Sequence, residues 1–155
     1  MTIRAVATIL AAAGVAVATS EARAELAPWD QAKVTALSKQ LADAAAALNE
    51  TFYRQPVPTA GSVQTRGYQR MKEAVNKIQR EAKSLNAKLS NQGDRASTLK
   101  SYQDLMQTVN VAREEAKGLF TTTDVAEKAG AARSVLNQLG PYYDPDFKQL
   151  EKVTR

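Results

Sequence analysis

Few side chains in this sequence could do chemistry, and their spacing argues against most of it. Glu114 and Glu115 are an adjacent carboxylate pair of the kind that serves acid–base work when both groups face one site. On a helix, successive residues point about 100° apart, so these two do not converge. A di-iron centre inside a helical bundle would need Glu-x-x-His, and the chain has no histidine. That absence also removes imidazole acid–base catalysis, Ser-His-Asp triads and nearly every usual zinc, copper or haem site. There is no cysteine either, so thiol chemistry and disulfide staples are excluded. Asp144 and Asp146 are spaced like the first two ligands of a calcium loop, but Lys148 stands at the third ligand position and Arg155 where a bidentate glutamate is required. No G-x-S-x-G elbow and no glycine-rich phosphate cradle is present. The expectation is a chain that is not an enzyme and carries no cofactor and no metal.

Two groups of residues remain as candidate interaction surfaces. Arg66, Arg70, Lys77, Arg80 and Lys88 share roughly one side of a helical stretch that holds seven basic residues against two acidic ones, Glu73 and Glu81. Such a face could meet an anionic surface. As a solvated face it would be tempered by Glu73 meeting Lys77 at i,i+4, and the interrupting acids favour that plainer reading. In "YYDPDF", Tyr142, Tyr143 and Phe147 could form a platform for a peptide or sugar, although rings near a chain end more commonly plug the open end of a core. Trp29 could staple the first helix onto the bundle end.

The start of the chain bears on where these surfaces would work. Residues 1–4 carry one positive charge, residues 5–19 none, and Ala22 and Ala24 occupy the −3 and −1 positions of an A-x-A cleavage site. This order of basic, apolar and small residues reads as a secretory signal peptide over residues 1–24. The apolar run is shorter than the ~20 residues that span a bilayer, so no stable membrane anchor is expected. Cutting after Ala24 leaves residues 25–155 as one domain, in the periplasm or secreted. The net charge of +5 is mild, and with no dense Lys/Arg block, nucleic acid is not an expected partner.

The elements that would position any site are helices. Val34, Leu37, Leu41, Ala44, Leu48 and Thr51 recur at 3,4 spacing, with Ala45 and Phe52 beside them, in a helix expected from Pro28 to Tyr53. Pro56 and Pro58 end it. Tyr68, Met71, Val75, Ile78, Ala82, Leu85 and Leu89 form an unbroken heptad series of the coiled-coil type over 64–90. Gly93 is expected to supply a left-handed cap. A third stripe, Tyr102, Leu105, Val109, Ala112, Ala116 and Leu119, covers 95–120. A fourth, Val125, Ala129, Ala132, Leu136 and Leu139, covers 123–139, with Asp124 and Glu127 resembling a capping box and Gly140-Pro141 as the stop. Asp144 and Pro145 could start a short extra C-terminal helix through Phe147, Leu150 and Val153.

Four one-sided helices with short connections predict an all-α, antiparallel four-helix bundle of up-down-up-down order. Met71 and Met106 then read as core filler. A methionine can ligate haem in exported four-helix cytochromes, which this architecture resembles, but the histidine or Cys-x-x-Cys-His attachment of that group has no counterpart here. The leading functional expectation is a non-enzymatic protein of the cell envelope that acts through protein–protein contact with an envelope partner or by self-association. The second is a small-ligand protein that holds an apolar or haem-like molecule in the bundle interior, where Ala44, Ala82, Ala112, Ala116, Ala129 and Ala132 could leave room.

Overall fold

The structure is a computed structural model that describes residues 25–57 and 62–153. The expected signal peptide, residues 1–24, lies outside the described residues. Four helices follow in order: α1 (Gln31–Arg54), α2 (Ser62–Ser90), α3 (Arg95–Lys117) and α4 (Thr123–Leu139), then a 3-10 turn over Gly140–Tyr142. Among the described residues there is no strand.

Side-chain oxygens set the helix starts. Asp30 caps α1 by accepting from the Lys33 N–H at 3.0 Å, so the helix begins three residues beyond Pro28. Asp94 caps α3 through the Ser97 N–H at 2.9 Å, and the Ser97 hydrogen bonds hold its carboxyl below the ordinary range. Thr122 caps α4, accepting from the Val125 N–H at 3.4 Å. Asp124 therefore sits one turn in, as a first-turn carboxylate on the positive end of the helix dipole rather than as a cap.

The end of α2 differs from expectation in an instructive way. The left-handed residue is Gln92, with φ 64°. The Gly93 N–H reaches the Lys88 carbonyl at 2.9 Å and the Gln92 N–H reaches Leu89 at 3.2 Å, the paired bonds of a Schellman ending. Gly93 is needed for space: a Cβ there would stand 2.7 Å from the Lys88 carbonyl oxygen.

α1 packs on α2 and on α4, and α2 packs on α3. Gln31 at the start of α1 donates to the Leu89 and Gly93 carbonyls, both at 3.1 Å, at the end of α2. At the other end, Phe52 stacks on Tyr68 with centroids 5.0 Å apart. All seven members of the α2 heptad series are buried. On α1 the buried series is Val34, Leu37, Leu41, Ala45, Leu48 and Phe52, with Ala44 and Thr51 only half-buried. The step from Leu41 to Ala45 is four where the heptad reading took three. A straight helix at 3.6 residues per turn drifts off a 3.5 repeat, and α1 corrects that drift with one extra residue.

Instead of a further helix, the chain from Asp144 to Val153 runs as a strap. Asp144 Oδ1 accepts from the Asp146 N–H at 3.0 Å in a local turn. Leu150 is fixed by a reciprocal pair: its N–H donates to Asn137 Oδ1 at 2.7 Å and its carbonyl accepts from Asn137 Nδ2 at 3.2 Å. So short a segment could not sustain a helix on its own, because isolated helices below about 12–15 residues are marginal. The Asn137 side chain claims the backbone groups such a helix would have used.

Candidate functional site

The two surfaces expected from the sequence have different fates. Arg66, Arg70, Lys77, Arg80 and Lys88 are all exposed on α2. Arg70 meets Glu115 of α3 at 2.8 Å, Lys77 meets Glu81 at 3.7 Å, and Lys88 donates to Ser101 Oγ at 2.7 Å. Lys77 thus takes the following glutamate on its helix, not Glu73. Glu114 turns to Lys117 while Glu115 turns to Arg70, as their divergence on the helix requires. Surface pairs of this kind contribute little to stability, about 0–1 kcal/mol each, and they set an acid against two of the five cations, Arg70 and Lys77.

The aromatic group belongs to the interior. Tyr142 and Tyr143 are buried, at 7% and 6% exposure, and present no platform to solvent. Tyr143 stacks on Tyr102 at 4.3 Å and meets the edge of Trp29 at 5.6 Å. Its hydroxyl lies 2.9 Å from Thr98 Oγ1. Arg95 covers Trp29 and donates to the Ala27 carbonyl at 2.6 Å, which pins the residues before α1 to this end of the bundle. Burial pushes the phenols of Tyr102 and Tyr143 up from their ordinary value, with Asp144 adding to the rise at Tyr102. Phe147 is half-buried against the same core, its ring lying over Gly140. The rings close the end of the bundle because together they hide an apolar surface that α1, α3 and the turn after α4 would otherwise leave open.

The feature with room for a ligand is elsewhere. α3 and α4 meet only marginally, and between them opens an apolar cleft with a cavity of about 200 Å³. Leu41, Leu48, Met71, Val75 and Ile78 make its floor from α1 and α2. Its walls are small: Val109, Ala112 and Ala116 on α3, and Ala126, Ala129 and Gly130 on α4. Side chains this short cannot reach across, so the two helices stand apart. Ala129 is accordingly exposed, not part of the closed core as its place in the α4 stripe suggested. Leu150 and Val153 of the strap lie over the cleft. At about 200 Å³ the space exceeds the roughly 150 Å³ cavity that takes benzene and falls below the roughly 300 Å³ at which drug-sized pockets begin. A second, wider hollow lined by Thr51, Arg54, Gln55, Thr122, Glu127 and Lys128 is mainly polar, with charges of both signs, and offers no apolar interior.

Four of the six alanines singled out in the sequence face other elements across or beside this cleft: Ala112, Ala116, Ala129 and Ala132 line it, while Ala44 and Ala82 do not. Sequence reasoning missed the polar rim, made by Arg113, Arg133, Glu151 and Lys152. Its only trace in the sequence is the repeated Ala-Arg step, Ala112-Arg113 and Ala132-Arg133, which sets a cation at the border of each apolar stripe. Arg113 donates through Nη2 to the Glu151 carbonyl at 3.3 Å, and its Nε is buried with no hydrogen-bond partner. A donor left in that state costs about 1–3 kcal/mol. The Arg133 guanidinium folds back over Gly130, 3.9 Å from where a Cβ would stand.

Among the described residues no three His, Cys, Asp or Glu side chains cluster to hold a metal, and no helix is long and apolar enough to cross a membrane. Compared with known proteins, the chain matches no family model, no curated protein and no solved structure.

Proposed function

We propose that this chain is a non-enzymatic binding protein that takes up a small apolar or amphipathic molecule in the cleft between α3 and α4. The observation that carries the reading is the unfilled apolar space of about 200 Å³, floored by α1 and α2 and covered by the strap at Leu150. Well-packed cores leave few voids larger than a water molecule, so an opening of this size between alanine-lined walls is a cost in stability that a ligand would recover. The surrounding architecture is an antiparallel up-down-up-down bundle, supported by Gln31 meeting the end of α2 and Phe52 meeting its start. Export is part of the proposal and rests on the order of basic, apolar and small residues in 1–24.

A second reading is docking of an envelope partner, or of a second copy, on the end of the bundle where Tyr53, Val57 and Phe120 are exposed by 46%, 54% and 80%. The cleft is favoured because it offers a defined apolar interior, whereas two of the five cations of the basic face, Arg70 and Lys77, already meet acids of the chain itself. A native mass spectrum of protein recovered gently from its own host tests the choice. A stoichiometric excess mass that organic solvent removes supports the cleft. A bare mass, together with no uptake of any apolar probe, overturns it. N-terminal sequencing of the same sample tests export, and Glu25 is the expected first residue.

A further inference from the structure

We infer that the ligand, given the cleft reading above, is a single-chain amphiphile with an anionic head, its tail in the apolar cavity and its head held between Arg113 of α3 and Arg133 of α4.

The cavity sets the tail. Its interior is mainly apolar, with the Phe52 ring among aliphatic side chains, and its volume of about 200 Å³ admits one short hydrocarbon chain but not the two chains of a membrane lipid. The rim sets the head. Three cations, Arg113, Arg133 and Lys152, border the opening against one acid, Glu151. None of these four side chains takes part in an ion pair among the described residues. The two arginines come from helices that hardly touch, and the strap residues Leu150 to Val153 line the same opening.

Arg113 shows the unmet demand most plainly. A guanidinium has five donors in a rigid fork matched to carboxylate or phosphate oxygens. Here the fork makes one long bond, 3.3 Å to the Glu151 carbonyl, and hides Nε without a partner. One oxygen of an anionic head would replace the Glu151 carbonyl at Nη2, and with the strap tip lifted a second oxygen of the same head would meet Nε, both through charge-assisted bonds that a neutral carbonyl cannot match. A cationic head would be repelled by the same rim, and an alcohol would leave the fork partly unsatisfied. Entry costs little structure. Among the described residues, the side-chain hydrogen bond that holds residues 151–153 is Arg113–Glu151, and the strap remains tied upstream by the Asn137–Leu150 pair when it parts. Residues 151–153 can lift while Leu150 stays seated.

The test uses the chain from Glu25 onward, freed of endogenous ligand, and four probes with one tail: octanoate, octyl phosphate, octanol and octyltrimethylammonium. Isothermal titration is expected to show at least one of the two anions binding tenfold or more tighter than octanol, equivalent to about 1.4 kcal/mol, and the tighter anion identifies the head. Octyltrimethylammonium should bind least. The double variant Arg113→Gln, Arg133→Gln should lose the preference for anions while keeping its affinity for octanol. Added salt, which needs no variant, should weaken the anions and leave octanol unchanged. If all four probes bind alike, or if the anionic preference survives both the double variant and high salt, the assignment of the head is wrong and the cleft reading stands. If none of the four binds, the cleft reading itself fails.

Discussion

Replacing Gly140 with alanine sets two effects of opposite sign against each other at one residue. Gly140 has φ −49° and ψ −51° and directly precedes Pro141, where the proline ring disfavours helical values for a residue with a Cβ. Glycine's greater loss of freedom on folding favours alanine by about 0.5–1 kcal/mol, and the pre-proline clash offsets that gain. The neighbourhood then decides. A Cβ at this position would stand 2.4 Å from Cγ and Cδ1 of the Phe147 ring. The ring must then leave its seat, and overpacking of this kind costs about 1–3 kcal/mol. The net expectation is a loss of about 1–3 kcal/mol for Gly140→Ala. In a Phe147→Ala background the obstacle is gone, and the same substitution should be close to neutral. Urea denaturation of the four proteins, with the slope checked for constancy, gives the cycle. A clear loss in the native background and little change in the Phe147→Ala background is the predicted result. If Gly140→Ala costs little in both, Phe147 does not rest on Gly140 and the course of the strap after Tyr143 is not as described.

Two other perturbations probe the core. Leu85 is fully buried in α2, so Leu85→Asp places an unpaired charge in the interior. It should cost several kcal/mol of a typical 5–15 kcal/mol and remove the cooperative thermal transition followed by circular dichroism; an unchanged melt would mean α2 does not face a core. At high pH the buried phenols should matter. Burial raises the folded-state pKa values of Tyr102, Tyr143 and Tyr68 above the unfolded value near 10. Their contribution to stability is therefore complete below about pH 10 and is lost as the pH climbs beyond it. Ultraviolet titration should show Tyr102 and Tyr143 ionising only together with unfolding; their ionisation near the ordinary phenol value with the fold intact would contradict the packing at that end.

Helix content and the α2 core face were legible in the sequence because α2 lies between α1 and α3. A helix gripped on two sides needs a continuous stripe, and the series from Tyr68 to Leu89 has no gap. α1 was nearly as clear, but a heptad template could not see that the chain steps by four from Leu41 to Ala45. α4 was misread at Ala129, since alanine in an apolar register looks the same whether it meets a core or lines an opening. The strap was not legible. Asp144-Pro145 is a fair helix start, and what prevents the helix is a side chain in α4, Asn137, that no local pattern connects to Leu150. The cleft was half legible: its small walls were noted, but a border arginine on an amphipathic helix normally snorkels to water. Only the packing shows Arg113 with a buried, unpartnered Nε.

The most direct test of the central claim is a methyl-resolved NMR titration of the chain from Glu25 onward with benzene, a probe small enough for an apolar cavity of this size. The account predicts saturable shifts at Ala112, Ala116, Ala132, Leu136 and Leu150, with Ala44 and Ala82 unmoved. Shifts that do not saturate, or that centre on the ring cluster of Trp29, Tyr102 and Tyr143, would contradict it.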